Sequence, residues 1–134
     1  MTTNSDPITI RPASERTAGP GPADYFTGSV QVEMLFTPTG PDRAAAANVT
    51  FQPGARTAWH THPLGQTLIV TAGVGRIQSR GGPVRALNVG DVVRIPPHLE
   101  HWHGAETDQA MTHIAIQEEL DGRAADWLEP VQGE

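Results

Sequence analysis

Short runs of alternating apolar and polar residues, each cut off by glycine or proline, do most to limit the fold open to this chain. Residues 29–36 set Val30, Val32, Met34 and Phe36 against mostly polar partners, and residues 45–52 put Ala45, Ala47, Val49 and Phe51 on one face. Residues 66–72 (Gln-Thr-Leu-Ile-Val-Thr-Ala) are β-branched and mostly apolar, as a central strand requires. Further strands are expected from residue 76 to 79, 91 to 95, 100 to 103 and 110 to 118. The turn signals between them are Pro38-Thr39-Gly40-Pro41-Asp42, Pro53-Gly54, Gly73 with Gly75, Gly81-Gly82-Pro83 and Pro96-Pro97. A roughly 8–12-residue rhythm of strand and turn describes an all-β sandwich or small barrel. The 14 glycines and 12 prolines among 134 residues point the same way. Only residues 121–128 read as helix, with Asp121 as N-cap and Ala124, Ala125, Trp127 and Leu128 as its body.

Residues 1–24, rich in Pro, Gly, Ser and Thr, are expected to form an irregular N-terminal arm with one short strand at residues 8–10. A single domain then occupies residues 25–134. A net charge of −6 offers no electrostatic footprint for nucleic acid or anionic lipid. No apolar run approaches the ~18 residues of a membrane span, and the start of the chain lacks the basic and apolar segments of a signal peptide. With no cysteine, disulfides and thiolate metal sites are excluded. The expectation is a soluble cytoplasmic protein acting on a small molecule, without nucleic-acid or membrane partners. Edge strands and the Pro-rich arm predict a homodimer or homotetramer.

All six histidines lie between positions 60 and 113. In His60-x-His62, strand alternation puts both imidazoles on one face. Gln66, four residues past His62, can return an amide oxygen to the same point, and three neutral donors converging there suit a first-row divalent metal. His103 shares a strand face with His101 and is a candidate for the cavity wall, while Trp102 points the opposite way into packing. On the last long strand Met111, His113, Ala115 and Gln117 share a face. Facing inward, His113 reads either as a general base beside a metal or as a hydrogen-bonded interior histidine. His98, in a Pro-Pro-His turn, reads as a turn residue.

The joint spacing is more specific than any one histidine. Gly54, five residues, His60-x-His62, three residues, Gln66, six residues and Gly73 is similar to the first motif of the cupin superfamily. Gly90, five residues, Pro96 and then His101 five positions on resembles the second motif. The resemblance implies an antiparallel jelly-roll β-barrel with a metal inside, held by His60, His62, Gln66 and His101. Three positions depart from the pattern: Gln66 stands where most cupins carry Glu, His98 where Gly is usual, and Ala105 where Asn is common. The first has chemical weight, because a neutral amide leaves a divalent ion its full charge and favours Lewis-acid work over redox cycling.

Residues 21–28, 53–73, 101–105 and 111–118 further resemble the small bacterial cupin hydroxynitrile lyases, a similarity running from about residue 19 to residue 131. Tyr25 stands where that family often has Trp. The resemblance implies R-selective cleavage and formation of cyanohydrins, with manganese as the metal (iron, nickel, cobalt or zinc as substitutes). It implies His113 as general base and Ala47, Val49 and Gln117 as pocket residues beside His103. The rival readings are a metal-dependent cupin dioxygenase and a non-catalytic small-molecule-binding cupin.

Overall fold

A strand of 14 residues, Gln66–Ser79, runs through the middle of the molecule and belongs to two sheets. The computed structural model describes residues 6–133; residues 1–5 of the expected arm lie outside them. In chain order the strands are β1 (Gly19–Pro20), β2 (Phe26–Thr27), β3 (Val30–Phe36), β4 (Ala44–Phe51), β5 (Arg56–Thr57), β6 (His60–Thr61), β7 (Gln66–Ser79), β8 (Arg85–Asn88), β9 (Val92–Ile95), β10 (His101–Ala105), β11 (Met111–Glu118) and β12 (Asp126–Trp127). The first half of β7 pairs with β11 and β9, and β11 continues the sheet through β4 and β3 to β1. Its second half pairs with β10 and β8, and β10 leads to β5, β6, β2 and β12. All pairings are antiparallel, and the two sheets close on one another as a jelly-roll barrel.

The turn expected around Gly73 and Gly75 is a bend inside β7, not a reversal. The ladder with β11 slips by one residue between Thr112 and His113, the mark of a bulge, and bulges increase local twist. Gly73 then takes φ +75°, and a Cβ there would run into the backbone of Ala110, so only glycine lets the two strands approach. Twist and close approach together carry β7 from one sheet into the other.

The interior follows the alternation read from sequence. Val30, Val49, Phe51, Leu68, Val70 and Met111 are buried between the sheets. Trp102 is buried on the opposite side of β10 from its histidine neighbours. The guanidinium groups of Arg56 and Arg76 both lie over its ring, 5.1 and 5.3 Å from its centroid, and Nε1 donates to Gln78 at 2.8 Å. Arg56 also donates to the carbonyls of Val131 and Gly133, tying the C-terminal tail across this stack.

Two further expectations fail. Residues 8–10 form no strand; the arm instead pairs with β3 through Gly19–Pro20, while Arg11 donates to the carbonyls of Met34 and Leu35 and Arg16 pairs with Glu33. The expected helix over residues 121–128 is also absent, and the described residues contain no α-helix, only a single 3-10 turn at Ala13–Glu15. Asp121 (φ 55°) and Gly122 (φ 79°) are both left-handed, which no right-handed helix can begin with. A tight Leu120–Arg123 turn sends the chain back, and Asp126–Trp127 pairs with Thr61 and His60. Pairing and aromatic packing override a modest local helix propensity. No helix among the described residues is long and apolar enough to cross a membrane.

Candidate metal centre and active site

Two short strands bring the histidines together. His60 on β6 and His101 on β10 are direct cross-strand partners, and their rings lie 4.2 Å apart. His62, two residues past His60, has its ring 4.9 Å from His60 and 5.3 Å from His101. His103 follows His101 on β10 and lies 5.3 Å from His60. All four are buried, as are His113 and Gln66.

Backbone carbonyls select the tautomer of three of these rings. Nδ1–H of His60 donates to the carbonyl of Ala58, that of His62 to Ala124 and that of His101 to Leu99, each at 2.9 Å. A carbonyl only accepts, so Nδ1 carries the proton and Nε2 is left as a lone pair. Nε2 of His62, Nε2 of His101 and Oε1 of Gln66 are buried with no hydrogen-bond partner. Orphaned acceptors in a buried site are costly unless something accepts their electrons. The donor set therefore fits a divalent cation.

Burial sets the protonation state. Desolvation pushes His101 and His113 down to about 4. It holds His60 and His103 well below 6.5, reinforced by neighbouring imidazoles, and also lowers His62. At neutral pH these five rings are uncharged, as metal ligation requires.

Among the described residues, His60, His101 and His103 bring potential ligand atoms together, all within 4.8 Å of one another. It shares His60 and His101 with the set that the motif resemblance implies. His103 differs from the other rings in one respect: its Nδ1 lies 3.0 Å from Nε2 of His113, not on a carbonyl. His113 sits on β11 opposite Val49 and Val70, its ring 5.3 Å from Phe51 and 4.8 Å from His103. Nδ1 of His113 has no hydrogen-bond partner.

All of these groups except His101 line a cavity of about 440 Å³. Ala47, Val49, His103, His113 and Gln117 line it, together with His60, His62 and Gln66. Among the described residues, no carboxylate does. His98 is exposed, with φ 68° in the turn after Pro97, and takes no part. The sequence reading missed the aromatic wall: Tyr25 stacks on Trp127 at 4.4 Å, and Trp127 stacks on His60 at 4.4 Å. Met34, Phe51 and Ala115 also line the space. No spacing in the sequence links Tyr25 and Trp127; the β6–β12 pairing brings Trp127 to His60, and the β2–β5 pairing, with the Ala58 N–H donating to the Tyr25 carbonyl, brings Tyr25 beside it.

A family model described as a cupin domain matches residues 47–117. The chain is 57% identical over 125 residues to the (R)-mandelonitrile lyase of Granulicella tundricola, covering 93% of this chain and 95% of that protein. Among solved structures, a cupin-like protein from Thermotoga maritima superposes with a TM-score of 0.80 at 46% identity, covering 95% of this chain and 92% of that one. The DMSP lyase DddQ of Ruegeria pomeroyi shares the fold at 22% identity, with a TM-score of 0.67 over 97% of this chain and 75% of that one.

Proposed function

The chain belongs to the cupin family, and from that premise we propose that it is a metal-dependent hydroxynitrile lyase, cleaving and forming cyanohydrins at the histidine cluster. The observation that carries this reading is the buried, carbonyl-anchored set of neutral donors beside an unliganded imidazole, in a chain so similar to an (R)-mandelonitrile lyase. His60, His62, Gln66 and His101 would hold the cation. Imidazoles with an amide oxygen suit manganese or iron(II), and a donor set without a carboxylate favours Lewis-acid chemistry. When bound, the cation supplies the Lewis acidity that favours an ionised oxygen over a hydroxyl.

The His103–His113 contact ties the choice of ligand set to the role of His113. A neutral imidazole carries one N–H, so the bond between the two rings holds one proton. If His103 gave its Nε2 lone pair to a cation, its Nδ1–H would donate to His113, whose own proton would then sit on Nδ1. No basic lone pair would remain on His113. In the other arrangement Nε2–H of His113 donates to Nδ1 of His103, freeing Nδ1 of His113 as a base and leaving an N–H on Nε2 of His103. A general base at His113 thus requires that His103 be a donor and not a ligand.

In cleavage His113 Nδ1 takes the cyanohydrin hydroxyl proton. The C–C bond to the nitrile breaks, its electron pair leaves with cyanide, and the oxygen closes the carbonyl. His113 returns its proton to cyanide, releasing HCN, while His103 Nε2–H is the nearby donor. Ala47, Val49, Ala115 and Phe51 form an apolar wall that excludes water and accepts an aromatic substituent. Mandelonitrile is the substrate for the test. Chelation should abolish benzaldehyde release and Mn²⁺ should restore it; equal activity in metal-free protein overturns the proposal.

The same reading has the protein assemble as a homodimer or homotetramer. Ile8, Ile10, Met34 and Phe36 are exposed along the arm and β3, where a second copy would cover them. Light scattering should give two or four times the 14.3 kDa chain mass, and a monomer at working concentration rejects this.

A further inference from the structure

Gln66 and Gln117 are direct cross-strand partners on β7 and β11, and both line the cavity. Nε2 of Gln66 donates to Oε1 of Gln117 at 2.7 Å, and Oε1 of Gln66 is the buried acceptor without a partner. A carboxamide has nearly the same shape either way round, but its two ends have opposite polarity. The oxygen end attracts a cation, whereas the NH₂ end presents N–H dipoles that repel it. Packing does little to choose between them. The pair forms a wall shared by two spaces, the site cavity and a second cavity of about 550 Å³ lined by Leu64, Ile95, Pro96, Pro97 and Ile116. With open volume on both sides, the hydrogen bond is what holds the amide.

We propose that Gln117 is a positioning residue: its Oε1 captures the NH₂ of Gln66 and so fixes the Gln66 oxygen toward the imidazole cluster. This rests on the reading that the cluster holds a metal through Gln66, and it deepens that reading by naming what orients the one ligand that no backbone carbonyl anchors. Partners that orient a metal ligand are typically worth about 10–100-fold in affinity.

The test is Mn²⁺ titration calorimetry at fixed pH on wild type, Gln66→Leu, Gln117→Leu, Gln117→Glu and the Gln66→Leu/Gln117→Leu double variant. Melting of the metal-free proteins serves as the folding control, and Gln117→Ala replaces the leucine variant if that one fails to fold. Gln117→Leu should weaken Mn²⁺ binding by about 10–100-fold. Gln117→Glu, which still offers an acceptor, should bind at least as tightly as wild type. In the Gln66→Leu background the second substitution should add nothing. The proposal is overturned if Gln117→Leu binds like wild type while Gln66→Leu is weakened, if Gln117→Glu is as weak as Gln117→Leu, or if the two losses multiply. A wild type that takes up no Mn²⁺ overturns the metal reading itself. A Gln66→Leu variant with unchanged affinity removes Gln66 as a ligand. Either result takes the role of Gln117 with it.

Discussion

His113→Ala should lose about 10²–10⁴-fold in kcat for mandelonitrile cleavage, the usual contribution of a positioned acid–base group, and keep its metal. The ring is fully buried and its Nε2 is engaged by His103, so Nδ1 is the only atom left for chemistry. Removing it takes away the proton acceptor without touching the carbonyl anchors of His60, His62 and His101. Metal content should stay at the wild-type level, and circular dichroism should show the same strands. Loss of kcat together with loss of metal would mean that the substitution damaged the cluster. Activity within threefold of wild type would sink the role of His113 and, with it, the argument that keeps His103 off the metal.

Acid should unfold the metal-free protein in a window set by the same rings. His101 and His113 sit at about 4 in the folded chain against an ordinary value of 6.5, because burial disfavours their charged forms. Between those limits the unfolded chain binds protons that the folded chain refuses, so stability falls as pH falls. Above 6.5 the full stability is present, and below about 4 the loss from these two rings is complete. Each can cost on the order of 3 kcal/mol, and His60, His62 and His103 are shifted in the same direction. Domains of this size are stable by about 5–15 kcal/mol, so the sum is enough to unfold one. Thermal melts of metal-free protein should be flat from about pH 8 to pH 7 and fall steeply below 6.5, the ordinary histidine value. A flat profile down to about pH 4.5 would refute the buried-neutral cluster. Bound metal should be lost in the same window, since protons and cation compete for the same lone pairs.

The sequence showed most clearly what depends on local periodicity. Alternation in residues 29–36, 45–52 and 110–118 foretold strands observed at Val30–Phe36, Ala44–Phe51 and Met111–Glu118. The His60-x-His62 and His101-x-His103 spacings foretold that each pair of rings shares a face, because a two-residue step preserves the face, and His60 and His101 then meet across β6 and β10. What stayed hidden depends on partners distant in the chain. Residues 121–128 carry helix-compatible side chains, and only docking against Thr61 and His60 makes Asp126–Trp127 a strand. The His103–His113 bond, the Gln66–Gln117 bond and the Tyr25–Trp127–His60 stack each join segments that no spacing rule connects.

The three carbonyl anchors also differ in when they can exist. His60 and His101 are held by Ala58 and Leu99, two residues back in each case, so those rings find their anchors as soon as their own loops form. His62 waits for Ala124, 62 residues downstream, and the face of His60 is closed by Trp127. A chain growing from its N-terminus makes these residues after every strand from Gly19–Pro20 to Met111–Glu118. The centre therefore cannot be finished before these residues are made, and a product that stops before residue 124 would have the barrel strands and an unfinished site.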